Sequence, residues 1–165
     1  MGRINNNLVN LNKDTLGHKE MNNLVYYFYK TSHLMYKMKI PLLPIFMKGL
    51  IRIWFYAVIP PQLEVGKNVL FGYNGLGIVI HPRCRIGDNV VVSQHVTIGG
   101  RGGLGVPIIG NNVFIGAGAR ILGEIKIGNN AKIGANAVVL TDVPENATAV
   151  GVPARIIPRN IDPKT

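Results

Sequence analysis

A count of six runs through the second half of this chain. Ile80, Ile86, Val92 and Ile98 are each six residues apart. After a step of eleven, Ile109, Ile115, Ile121, Ile127, Ile133 and Val139 keep the same interval, and a second step of eleven leads to Val150. Glycine follows this timing residue at Gly87, Gly99, Gly110, Gly116, Gly128, Gly134 and Gly151, and the position two before it is small or β-branched: Cys84, Val90, Val96, Val113, Ala119, Ala131, Ala137. Six is neither the 3.6-residue period of a helix nor the 8–12-residue spacing of an ordinary strand-and-turn series. It is the period of a parallel β-helix, in which short strands joined by tight corners stack coil upon coil. The timing residue points inward. Gly, or Asn as at Asn89, Asn112, Asn130 and Asn136, takes the corner dihedrals that other residues resist. Neighbouring coils, about 4.8 Å apart, satisfy each other's backbone. The surplus residues of the first long step, within GRGGLGVP (100–107), must be expelled as a loop.

The first 60 residues have another character. Residues 1–17 read as a loose arm, and 18–60 are apolar and aromatic, whereas only Phe71, Tyr73 and Phe114 carry aromatic rings after Pro60-Pro61. Apolar spacing at Leu24, Tyr27, Phe28, Leu34 and Met35 predicts a helix over about 19–38. Pro41 and Pro44 interrupt it, and Pro44 is tolerated in the first turn of a second helix running to Ile59. That second stretch is shorter than the roughly 20 residues a bilayer span needs and carries Lys48 and Arg52. It fits a helix packed on the rest of the protein or on a sister subunit, or a basic amphipathic helix in peripheral contact with a membrane surface. The organisation is thus an N-terminal helical segment (1–60), a β-helix (61–157) and a C-terminal tail (158–165).

Charge and cysteine content narrow the function classes. The net charge of +10 comes from 18 Lys+Arg against 8 Asp+Glu. Such a balance points to an anionic partner. The basic residues form no dense run and no nucleic-acid-binding signature, which argues against nucleic acid. The single cysteine, Cys84, leaves no disulfide framework and no Cys-based zinc cluster in one chain, so no metal is expected. The polar N-terminus is not a secretory signal, and a cytoplasmic location is expected.

The blocks GIVIHPRCRIGDNVVVSQHVTIGG (77–100), IGNNVFIGAGARILG (109–123), KIGANAVVL (132–140) and AVGVPARII (149–157) resemble the hexapeptide-repeat acyltransferases, in particular the serine acetyltransferase branch and its polysaccharide-modifying relatives. The resemblance implies a mainly β protein, a left-handed parallel β-helix assembled as a homotrimer, and acetyl-CoA as cosubstrate. It also implies a coenzyme slot. Gly116, Ala117, Gly118 and Ala119, with Gly134 and Ala135, would let an extended pantetheine arm lie against backbone. Lys132 and Arg155 would meet phosphates, and the GVPAR segment, with Pro153, would flank the adenine. Gly100 and Arg101 in the loop are candidates for contact with the coenzyme or an anionic acceptor.

Acetyl transfer to a hydroxyl needs a base titrating near neutrality, for which histidine is suited, and fixed donors for the oxyanion. The repeat contains His81 and His95; His18 and His33 lie in the N-terminal segment and read as structural or solvated. An 18-residue coil places Gly99 one coil after His81, and His81, His95 and the loop are expected to converge on one edge, with Asn74 near the oxyanion. The family's Asp-His pair before the GIVI-like strand is Tyr73-Asn74 here, and its histidine before the loop's closing proline is Val106. His81 and His95 therefore stand on position and chemistry alone, as alternatives for the base. The reading is an acetyl-CoA-dependent O-acetyltransferase acting on a small-molecule or saccharide hydroxyl in surface-polysaccharide assembly. The alternatives are a serine O-acetyltransferase in cysteine biosynthesis, and a trimeric scaffold without catalysis.

Overall fold

The structure, a computed structural model, describes residues 23–103 and 105–158. Among the described residues two helices, α1 (Leu24–Lys37) and α2 (Leu43–Phe55), precede fourteen short strands. The strands stack into the three faces of a triangular prism. The first face holds β1 (Glu64–Val65), β4 (Arg85–Ile86), β7 (Ile108–Ile109) and β10 (Lys126–Ile127). The second holds β2 (Leu70–Phe71), β5 (Val91–Val92), β8 (Phe114–Ile115), β11 (Lys132–Ile133), β13 (Thr148–Val150) and β14 (Arg155–Ile157). The third holds β3 (Val79–Ile80), β6 (Thr97–Gly99), β9 (Arg120–Leu122) and β12 (Val138–Val139). All pairings are parallel except β13 with β14. This is a left-handed β-helix of about four turns behind N-terminal helices.

The six-residue interval sets the register. Ile80 pairs with Ile98 and Ile98 with Ile121, while Val92 pairs with Ile115 and Ile115 with Ile133, so the timing residues form three inward columns. The positions two before them, Cys84 to Ala137, are buried as well. Each fully buried Val or Ile contributes about 1.5–3 kcal/mol relative to exposure, and coil stacking supplies what one two-residue strand cannot.

Three details differ from the sequence reading. The last timing position is Ala149 rather than Val150: Ile133 pairs with Ala149 and Ile127 bridges Val143, so the final coil is shortened and Val150 turns outward. The corner dihedrals belong to asparagine rather than to the glycine after the timing residue. Asn68, Asn89, Asn112, Asn130 and Asn146 have φ of 55–60° along one edge, whereas Gly87, Gly110 and Gly116 lie outside the left-handed region. Those glycines are needed for closeness: a Cβ on Gly116 would sit 2.6 Å from the backbone nitrogen of Ala135 in the next coil. Each corner Asn also donates Nδ2–H to the Oδ1 of the next, at 3.1–3.2 Å, from Asn68 through Asn146. Finally, the first rung of the coil is Val58, which bridges Val79 ahead of Pro60-Pro61.

Helix α1 closes the open end of the prism, where an edge coil would leave carbonyls unpaired. Tyr29 Oη donates to Leu63 O (2.5 Å), Lys30 Nζ to Val65 O (3.1 Å), Tyr26 Oη to Gly66 O (3.1 Å), and Asn23 Nδ2 to Val69 O (2.8 Å). The buried face of α1 is therefore Val25, Tyr29 and Ser32; of the apolar residues that predicted the helix, Phe28 packs against the core and Met35 is half-buried, while Leu24, Tyr27 and Leu34 face outward. The start near residue 19 expected for the first helix lies outside the described residues, and helix α2 ends at Phe55 rather than Ile59. Pro44 lies in the first turn of α2 as expected.

Candidate active site

The candidate residues divide between two edges of the prism. The corner joining the second face to the third carries, coil by coil, Gly72–Gly77, Ser93–Val96, Gly116–Ala119, Gly134–Ala137 and Gly151–Ala154. The corner joining the third face to the first carries His81–Cys84 and the expelled loop. His95 belongs to the first of these edges and His81 to the second. They do not converge, because they stand at opposite ends of the third face, roughly four residues or 13 Å of extended chain apart.

His95 is held by its backbone. Its φ of 59° places it in the left-handed region, and its N–H donates to Leu76 O at 2.8 Å. Its exposed ring lies over Gly77, one 18-residue coil earlier, where any Cβ would run into the imidazole Nδ1. On the same edge Asn74 (φ 53°) accepts the N–H of Leu24, the first residue of helix α1, on Oδ1 at 3.1 Å, leaving Nδ2 as its donor end. Tyr73, also left-handed, is exposed beside it.

Beyond His95 the edge becomes a stripe of small residues. Ala117, Gly134 and Ala135 reach its surface, and Pro153 and Arg155 are exposed at its far end. Lys132 projects from β11 on the adjoining face, paired with Phe114 and Thr148. Ala119, expected in the slot, instead occupies the inward position two before Ile121 and is fully buried in the core, so its side chain cannot line a slot. Gly116 is likewise packed against the following coil and offers only backbone.

At the other edge, His81 Nδ1 accepts the Arg83 N–H at 3.2 Å, so the ring proton sits on Nε2. A groove of about 620 Å³ opens beside it, lined by Val58, Val79, Thr97, His81 and the cations Lys48 and Arg83. Apolar walls with two cations suit an anion that has an apolar body. Ile86 pairs with Ile109, twenty-three residues on, so the loop of 100–107 takes up the surplus as expected. Gly100 and Arg101 are exposed in it, and Arg101 approaches Gly123 of the next corner. The groove cations escaped the sequence reading because Lys48 reaches the solenoid only through the packing of α2. Gly77 was within reach, since it lies one coil before His95.

Two further groups are structural. His33 Nδ1 lies 2.7 Å from Pro61 O beneath the helical cap, and His18 falls outside the described residues. Cys84 points inward, and burial pushes its thiol up to about 11, so it is no nucleophile.

Comparison with known proteins bears on this edge. A family described as bacterial transferase hexapeptide (six repeats) matches residues 107–141. Serine acetyltransferase of Synechococcus elongatus is 38% identical over 141 residues, covering 82% of this chain and 57% of the relative. This chain belongs to the hexapeptide-repeat transferases. Serine acetyltransferase of Staphylococcus xylosus is 43% identical over 129 residues, covering 76% of this chain and 59% of its own. Among solved structures, soybean serine acetyltransferase complexed with serine superposes with a TM-score of 0.76 at 42% identity, over 81% of this chain and 56% of that one. Serine acetyltransferase from Brucella abortus in complex with coenzyme A superposes with a TM-score of 0.77 at 34% identity, over 81% and 54%. The hexapeptide-repeat chain described here thus spans a little over half the length of these relatives.

Proposed function

We propose that this chain is an O-acetyltransferase of the serine acetyltransferase type, moving acetyl from acetyl-CoA to the hydroxyl of L-serine or a closely related acceptor. The observation that carries the reading is the edge on which His95 stands at the foot of a small-residue stripe ending in GVPAR, in a fold that superposes on serine acetyltransferases holding serine or coenzyme A. Those relatives favour a serine-type acceptor over the surface saccharide suggested by the sequence.

His95 is the base in this reading. Its ring is exposed and fixed over Gly77. His81 presents Nε2–H outward and is a donor in that tautomer. An acceptor hydroxyl gives its proton to His95 while its oxygen attacks the thioester carbon, and the carbonyl electron pair moves onto oxygen. Backbone N–H groups and Asn74 Nδ2 meet that oxyanion. Collapse breaks the C–S bond, and the departing thiolate takes the proton back from His95. Ala117, Gly134 and Ala135 leave room for the pantetheine arm; Lys132 and Arg155 supply charge for phosphates, and Pro153 flanks the adenine.

A homotrimer completes the site. Arg101 and the His95 edge lie on different corners of one prism, so only a neighbouring copy can bring the loop to the stripe. A saccharide acceptor remains the second reading on one observation: Tyr73-Asn74 stand where the family has Asp-His, and Asn74 spends its Oδ1 on helix α1.

Thiol release from acetyl-CoA, followed with L-serine and then with sugar acceptors, decides between these. Turnover with L-serine that His95→Ala abolishes supports the first reading, and turnover with sugars alone supports the second. Absence of both turnover and coenzyme binding would leave a scaffold.

A further inference from the structure

We propose that the outer face of the α1–α2 helical pair docks on an anionic lipid bilayer. The observation is that helix α2 is apolar on its solvent side. It buries only Pro44 and Ile51, while Ile45 (68% exposed), Phe46 (62%), Ile53 (68%) and Trp54 (66%) face outward. The outward residues Tyr27 and Leu34 of α1, with Met38 just past its end, continue this surface, since Phe28 and Trp54 bring the two helices together with ring centroids 6.4 Å apart. Isolated surface leucines need no explanation, but a contiguous apolar face on two adjacent helices does.

Charge selects the occupant. Between residues 23 and 60 there are five basic side chains (Lys30, Lys37, Lys39, Lys48, Arg52) and no acidic one. Lys37 and Arg52 on these helices and Lys39 in the turn between them are exposed, while Lys48 belongs to the groove beside His81. A second copy pressing the same face would set cations against cations, and residues 61–165 are net basic as well, with 10 Lys/Arg to 6 Asp/Glu. An anionic bilayer matches both features, taking the apolar side chains into the acyl boundary and the cations at the headgroups. Trp54 and Tyr27 are residues that favour that interface. Neither helix crosses the membrane: among the described residues no helix is long and apolar enough. This inference rests on the helices alone and stands apart from the acetyltransferase reading.

The test uses the full chain with phosphatidylcholine vesicles, with and without phosphatidylglycerol. Trp54 is the only tryptophan, so indole emission reports this face directly. Co-sedimentation and a blue shift with the anionic vesicles, both weakened by salt, are expected. Lys37→Gln/Lys39→Gln should weaken partitioning on the order of twentyfold, as each cation near the surface is worth roughly fivefold. Phe46→Asn/Ile53→Asn should abolish it while leaving the thermal melt and the light-scattering mass unchanged. The proposal is overturned if folded wild-type protein ignores anionic vesicles, or if the lysine variant binds as well as wild type. A fall in mass for Phe46→Asn/Ile53→Asn also overturns it, because another copy then covers the face.

Discussion

Gly77→Ala tests whether the position of the His95 ring matters for chemistry. The glycine sits at φ +68°, and an added Cβ would collide with the imidazole Nδ1 of His95 one coil on. Two costs follow. Holding an L-residue in the left-handed region costs roughly 1–2 kcal/mol, which for a chain of this size lowers the melting temperature by a few degrees. The larger effect is displacement of the ring. Loss of a positioned general base lowers turnover by about 10²–10⁴. We expect kcat for acetyl transfer to fall toward that range, with KM for acetyl-CoA little changed because the small-residue stripe lies on later coils. His95→Ala should reach the same floor, and the Gly77→Ala/His95→Ala double variant should be no slower than His95→Ala alone, since both changes remove one function. Steady-state thiol release and a thermal melt on the same preparations supply the readouts. If Gly77→Ala melts a few degrees lower yet turns over at the wild-type rate with an unchanged pH profile, the ring over Gly77 takes no part and the base must be sought elsewhere.

The remaining predictions concern stability and the coenzyme. Asn112 holds the left-handed corner between Asn89 and Asn130, with side-chain hydrogen bonds on both sides; Asn112→Gly should lose only the ladder, about 1 kcal/mol, and Asn112→Ala should lose roughly 1–2 kcal/mol more, read by chemical denaturation. Cys84 should resist thiol reagents at neutral pH until the chain unfolds. Because burial raises its pKa from 9.0 to about 11, the folded state keeps the neutral form, so its contribution is intact below 9.0 and is lost as pH rises through that window. Lys132→Ala and Arg155→Ala should each raise KM for acetyl-CoA several-fold, since an exposed phosphate contact is worth about 1 kcal/mol, and dephospho-coenzyme A should blunt the effect of one of them.

How far the sequence reached follows from what a period can encode. Interval six fixes which side chains point inward, and through the 18-residue coil it fixes which residues stack, so the columns from Ile80 to Val139 and the loop at 100–107 were legible. It does not distinguish one corner from another until the coil is traced in threes. His81 and His95 are fourteen residues apart, two corners plus a remainder, which puts them on different edges; the expectation that they converge on one edge ignored that remainder. The same arithmetic assigns Ala119 to an inward position. What a period cannot encode is the irregular part. The final coil drops two residues where Asp142 accepts the Lys126 N–H at 2.8 Å, and no interval announces it. In the helical segment, the buried positions are chosen by unpaired carbonyls of the first coil, which Tyr26, Tyr29 and Lys30 reach with polar ends. An amphipathic pattern read from apolar residues alone therefore finds Phe28, which packs against the core, but misses Tyr29 and Ser32. Leu24, Tyr27 and Leu34 are left facing solvent, and a chain whose cap turns apolar side chains outward needs something to cover them.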